Sequence, residues 1–161
     1  MNFEIIHFRN AENILESKNM IHDVTITCEY LLDCLAGTAY RREILRDALD
    51  AMGWREEHVS LNILPGRRYM YKGVKGKIAM DGNFSSYEYL HTGLLRLQLG
   101  YDKGTVESGI LLLTSARSEK SPYGSTLDML EDEMRMLFPT ISLPVSICLF
   151  DLGEPTIPED N

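Results

Sequence analysis

Hydrophobic residues along the chain fall into blocks, and the spacing within each block differs. Residues 2–8, NFEIIHF, are short and apolar and read as an edge strand. Residues 10–36 carry a mixed helical signal through Ile14, Leu15, Ile21, Val24, Ile26, Leu31, Leu32 and Leu35. From 39 to 52 the spacing is plainly helical, with Tyr40, Ile44, Leu45, Ala48, Leu49 and Met52 on one face. Gly53 follows as a C-cap glycine would. Residues 59–64, VSLNIL, alternate and predict a strand that ends at Pro65-Gly66. Residues 67–81 predict a hairpin: Arg68 to Lys72 outward, a turn over Gly73 to Gly76, and Lys77 to Asp81 returning.

Residues 86–99 predict a further helix with Tyr87, Leu90, Leu94, Leu97 and Leu99 as core positions. Residues 106–114, VESGILLLT, hold a continuous apolar run, the pattern of a strand buried on both faces. Residues 125–137 predict a helix capped by Ser125 or Thr126, with Met129, Leu130, Met134 and Leu137 inward. That methionine stripe reads as core packing. Residues 144–150, PVSICLF, predict a second buried strand. The order of hairpin, helix, buried strand, helix, buried strand indicates an α/β fold with a central mixed sheet flanked by helices.

Composition narrows the function classes. A chain of 161 residues, 44% hydrophobic and 25% charged, suits one globular domain with one sizeable core. The reading is a single domain over residues 1–153 and a flexible acidic tail over 154–161. No apolar run is long enough to cross a bilayer, and the N-terminus lacks the pattern of a secretory signal. Cys28, Cys34 and Cys148 have no CxxC spacing and read as reduced thiols of a cytoplasmic protein. His7, His22, His58 and His91 are scattered, which argues against zinc. A net charge of −8 lowers the expectation of tight nucleic-acid binding, unless charge is segregated. Residues 67–77, RRYMYKGVKGK, hold five of the 16 Lys and Arg and no acid. They form either one basic patch on an acidic body or a solvated hairpin.

The stretch KGKIAMDGNF (75–84) carries the chemical question. By local chemistry Asp81-Gly82-Asn83 is a turn, because all three residue types tolerate positive φ. Three stretches together, however, resemble the PD-(D/E)XK nuclease superfamily, and within it the BglII- and BstYI-type restriction endonucleases. These are YRREILRDALDAMGW (40–54), IAMDGNFSSYEY (78–89), and VESGILLLTSARSEKSPYGSTLDMLEDEM with LPVSICLFDLG. The resemblance covers roughly residues 40–153, and the order and spacing carry it more than any one motif. It implies a restriction-endonuclease-like three-layer sandwich. It also implies that the strand continues through Phe84, with Gly82 weakening it or introducing a bulge.

The resemblance further implies Mg²⁺ chemistry. In the family an Asp on one strand and a Glu on the next hold the metal, and a Lys or Gln two residues after the Glu orients the nucleophile. Positions i and i+2 of a strand share one face. Here Asp81 stands at the Glu position and Asn83 at the Gln position, each a methylene shorter. Lys72 stands where the first Asp belongs, and a cation repels Mg²⁺. Lys72 is instead a candidate ion-pair partner for Asp81. No acid lies between Glu57 and Asp81, so a replacement ligand has to come from another element. Glu43 is the best candidate and Glu88 a weaker one, which makes Asp81 and Glu43 the candidate metal ligands. The segment between Trp54 and the hairpin is shorter than in the family, which removes part of the DNA-binding arm. Arg67, Arg68, Lys75 and Lys77 of the hairpin, with Arg117 and Lys120 of the loop 115–124, are the candidate DNA contacts.

Three functions compete on this reading. The first is a degenerate member without metal-dependent cleavage, which binds DNA or a protein partner in a restriction or defence context. The second is an active Mg²⁺-dependent endonuclease with a rearranged site built from Asp81, Glu43 and Asn83. The third is an interaction protein that uses the fold as a scaffold. The resemblance implies double-stranded DNA as partner and a homodimer.

Overall fold

The computed structural model describes residues 2–38, 41–84, 89–115 and 126–153. Tyr40, Tyr87, Glu88, Arg117, Lys120, Ser125 and the tail 154–161 lie outside the described residues. The chain runs β1 (Phe3–Phe8), α1 (Ala11–Ser17), α2 (Ile21–Leu35), α3 (Arg41–Ala51), β2 (Gly73–Lys75) and β3 (Ile78–Gly82). It continues with α4 (Tyr89–Asp102), β4 (Ser108–Thr114), α5 (Leu127–Met136) and β5 (Val145–Phe150). The strands form one sheet in the order β1-β5-β4-β3-β2. β3, β4 and β5 are parallel, and β1 and β2 are antiparallel edges. This is the expected α/β sandwich with a mixed central sheet.

Strand alternation builds two cores. On one face Ile78, Met80, Ile110, Leu112, Cys148 and Phe150 pack under Leu15, Val24, Leu31, Leu45 and Leu49 of α1–α3. On the other face Ala79, Leu111, Leu113, Val145, Ile147 and Leu149 pack under Leu90, Leu94, Leu97, Leu130 and Met134 of α4 and α5. Every residue of β3, β4 and β5 is buried, which explains their near-continuous apolar runs. Thr126 caps α5, accepting the Met129 N–H at 3.3 Å. Met129, expected inward, is 47% exposed, because the inner face of α5 is carried by Leu130 and Met134.

The end of α3 is tied to the sheet. Gly53 takes φ +82°, and the Trp54 and Gly53 N–H groups return to the Leu49 and Asp50 carbonyls at 2.9 and 3.1 Å. This is a Schellman ending. Trp54 is then fully buried, donates from Nε1 to Thr27 Oγ1 at 3.0 Å, and accepts the Val74 N–H on its carbonyl at 2.7 Å.

The hairpin differs from the expectation. Its outward strand is Gly73–Lys75, not Arg68 to Lys72, and its turn is Gly76-Lys77, both at positive φ. A two-residue loop with both central residues at positive φ matches the twist of the flanking strands. Gly73 makes room instead of turning the chain. A Cβ there would lie 2.8 Å from Trp54 Cβ, so its lack of a side chain admits the tryptophan. Residues 59–64 are not a strand of the sheet. They fold back on residues 69–71 through one bridge, Asn62 with Met70, flanked by Ile63 N–H to Tyr69 O and Tyr71 N–H to Leu61 O.

Candidate functional site

Asp81 and Gly82 are strand and not turn, but the strand ends at Gly82 and does not continue through Phe84 as expected. Asp81 and Gly82 pair in parallel register with Leu111 and Leu112, without a bulge, and the Asn83 N–H donates to Leu112 O at 3.3 Å. Gly82 serves a close approach here: a Cβ on it would fall 2.6 Å from Leu112 Cβ and 2.7 Å from Leu112 O. Phe84 closes the stretch, its ring edge-on to Phe150 with centroids 5.6 Å apart.

Alternation sends Asp81 to the face that carries Ala79, toward α4. The side chain is completely buried. Its Oδ2 accepts Arg96 Nε at 2.6 Å, and its Oδ1 accepts the Gly82 N–H at 2.9 Å. Arg96 also donates to the Met70 carbonyl, which ties α4 to the folded-back segment. Tyr71 reinforces this tie. Its hydroxyl donates to Arg96 O at 2.8 Å and packs where a Cβ on Gly100 would clash. Burial pushes the Tyr71 phenol up to about 12.

Lys72 stands one step beyond the Gly73–Met80 pair and therefore faces Asp81 across the hairpin. The ion pair expected between them is not formed: Arg96 takes the carboxylate. Lys72 is half-buried, and desolvation lowers its ammonium pKa. The field of Asp81 opposes that shift, and Arg42, Arg96 and Arg46 add to it.

Glu43 is exposed on α3. It lines a cleft of about 440 Å³ with Arg46, Asp47, Asp50 and Arg55, a lining to which Asp81 does not contribute. Among the described residues no three His, Cys, Asp or Glu side chains come together as metal ligands would. Arg67, Arg68 and Lys77 are exposed. Lys75 is different: its ammonium is spent inside the fold. It donates to Asp23 Oδ2 at 2.8 Å and Met52 O at 2.9 Å and lies 5.2 Å over the Trp54 ring.

Arg96 is the residue that sequence reasoning missed. A signal existed. An arginine inside HTGLLRLQLG, three residues after Gly93 and between leucines, stands on a helix face that packs against a sheet. A cation on such a face needs a buried anion.

Among the described residues no helix is long and apolar enough to cross a membrane. No curated protein is significantly similar to the chain in sequence. Among solved structures the chain is similar to restriction endonuclease BglII complexed with a DNA 16-mer. The match has a TM-score of 0.66 and 14% identity, over 93% of this chain and 76% of that one. It is also similar to free BglII, with a TM-score of 0.59 and 16% identity over 93% and 79%. At such identities the likeness concerns the fold. In sequence, residues 3–149 match the family described as restriction endonuclease BglII/BglIII, and the chain belongs to that family.

Proposed function

We propose that the protein is a non-cleaving member of this family that acts by binding DNA. The observation that carries the reading is the Asp81–Arg96 ion pair, with Asp81 wholly out of water. Hydrolysis of a phosphodiester by this route needs a divalent cation on hard oxygen ligands. At Asp81 one oxygen holds a guanidinium and the other a backbone N–H, and the facing position is a lysine. This donor set does not fit Mg²⁺. Glu43, the candidate second ligand, is exposed and lines a cleft on α3 to which Asp81 does not contribute. Support for DNA as partner comes from the likeness to a structure solved with DNA and from the exposed Arg67, Arg68 and Lys77. A two-fold dimer and a cytoplasmic location belong to the same reading.

The test is calorimetric titration of Mn²⁺ into wild type and Asp81→Asn, with plasmid cleavage on the same samples and duplex binding measured across salt. The expected result is no saturable metal binding, no cleavage, and a salt-dependent DNA complex. Metal-dependent cleavage that Asp81→Asn abolishes would sink the proposal.

A further inference from the structure

The core under α1–α3 holds a pair of thiols that the proposed function does not use. Cys28 lies on the inner stripe of α2 with Val24, Leu31 and Leu35, and Cys148 lies on the face of β5 that carries Phe150. Both are free and fully buried, and their sulfurs are 3.7 Å apart. The two residues are 120 positions apart in the chain, so only the fold brings them together. α2 is fixed in place around this contact. Asp23 accepts Lys75 Nζ at 2.8 Å, and Thr27 Oγ1 accepts Trp54 Nε1 at 3.0 Å. Cys148 stands on a cross-strand row with Ile5 and Leu112, and Leu112 pairs onward with Gly82. A buried cysteine alone reads as a small apolar side chain. Two that face each other from different layers carry more, because either thiol can attack the other once one is oxidised. The contact with Cys28 and burial push the Cys148 thiol up, which keeps it neutral and slow to react at rest. Cys34, the third cysteine, is partly buried near the end of α2 and stands outside the pair.

We infer that Cys28 and Cys148 form a redox latch, a thiol pair that closes into a disulfide under peroxide and ties α2 to the central sheet. The sulfurs have to approach from 3.7 Å to a bond of about 2.05 Å, a shift that rotations of two side chains share. The oxidant is hydrogen peroxide, small enough to enter through a local opening of the core. One sulfur, as thiolate, attacks a peroxide oxygen, and the O–O bond breaks. A sulfenic acid forms, and the hydroxide that leaves takes up the proton of that thiol to become water. The second sulfur then attacks the sulfenic sulfur. The S–O bond breaks, the S–S bond forms, and a second water leaves with the remaining thiol proton. Two thiols thus lose two electrons and two protons, and one peroxide becomes two waters. A small thiol in excess reverses the closure by exchange. The closed latch spans the chain from α2 to β5, with α3, the hairpin, α4, β4 and α5 between. Closing so long a loop removes freedom from the unfolded chain and stabilises the fold. The latch does not rest on the DNA-binding reading.

The experiment uses the full chain as wild type, Cys34→Ser, Cys28→Ala and Cys148→Ala, each reduced and then exposed to hydrogen peroxide. Free thiols are blocked in denaturant, and intact mass and a peptide map made without reductant read the product. Wild type and Cys34→Ser are expected to lose two hydrogens and to yield a crosslinked peptide pair joining Cys28 to Cys148. Their Tm should rise by about 5–10 °C and return on addition of dithiothreitol, the effect of one long-loop disulfide in a domain of this size. Cys28→Ala and Cys148→Ala should show neither change. Should alanine in the core unfold those variants, the peptide map of wild type decides alone. Oxygen gained at either cysteine without a crosslink, a crosslink that uses Cys34, or both thiols left intact overturns the latch. So does a Cys28–Cys148 crosslink that leaves Tm unchanged or lowers it, because strain then cancels the tie.

Discussion

A carboxylate taken wholly out of water needs a partner of opposite charge, and for Asp81 that partner is Arg96, itself 23% exposed. Removing the partner leaves an uncompensated buried charge. Arg96→Met is therefore expected to cost about 3 kcal/mol, seen as a lower urea midpoint at unchanged m-value. Replacing both members, as Asp81→Leu with Arg96→Met, should recover most of that loss, because an apolar pair of similar volume is tolerated where a lone charge is not. A loss below about 1 kcal/mol in the single variant would place the pair in the class of weak surface contacts and leave Asp81 free for other ligands. Tyr71 adds a pH dependence. Its phenol ionises at about 12 in the folded protein, against an ordinary value of 10.0. The unfolded chain therefore loses the proton first as pH rises. The stability that Tyr71 contributes is fully present below pH 10.0 and is lost as pH climbs through about 12. Tyr71→Phe should cost about 1 kcal/mol near neutral pH through its lost hydrogen bond. Its deficit relative to wild type should shrink across that alkaline window; a constant deficit would mean that the phenol is not held neutral by burial.

At the scale of elements, β3 shows which parts of the fold are legible in a sequence. Its apolar residues predicted a strand, but its last residues spelled a turn. The turn reading failed because local preference for positive φ at Asp81-Gly82-Asn83 is weaker than parallel pairing with β4 along a fully buried strand. Gly82 is there for close packing on Leu112. Gly82→Ala should therefore destabilise the protein by about 1–3 kcal/mol, the cost of overpacking a core, measured by chemical denaturation. A neutral effect would mean that β3 and β4 part easily at that end. Spacing also revealed α3, β4, α5 and β5, since each buries a regular stripe or a full run. It misplaced the hairpin turn because the two glycines look alike in sequence. Gly73 admits Trp54, and Gly76 makes the turn. Residues 59–64 alternate like a strand yet meet only residues 69–71, because alternation reports which side is buried and not which partner covers it. At the candidate site Asp81 was singled out by the resemblance, since its local chemistry spelled a turn. Arg96 was missed because its partner lies 15 residues away on another element, and no spacing rule links the two.

For the whole molecule, a net charge of −8 sets the terms on which any polyanion is met. Long-range repulsion from the acidic body opposes encounter, so binding has to come from short-range contacts on a segregated basic surface. The exposed cations of the segment 67–77 are Arg67, Arg68 and Lys77, because Lys75 is committed to Asp23. Each phosphate contact releases counterions and contributes about 0.9 to the slope of log K against log salt. Wild type should therefore show a modest slope with weak affinity at physiological salt. The double variant Arg67→Gln with Arg68→Gln should lower that slope by about two units if both residues touch phosphates. Lys75→Gln should behave differently. It should leave the slope unchanged while lowering stability, because it breaks the contacts to Asp23, Met52 and the Trp54 ring. Anisotropy titrations over a salt series, paired with denaturation midpoints for each variant, separate the two effects. A slope that falls with Lys75→Gln but not with the arginine pair would reverse the assignment. The Asp23–Lys75 pair would then be one that DNA displaces, and the binding surface would lie on the α2 side of the hairpin.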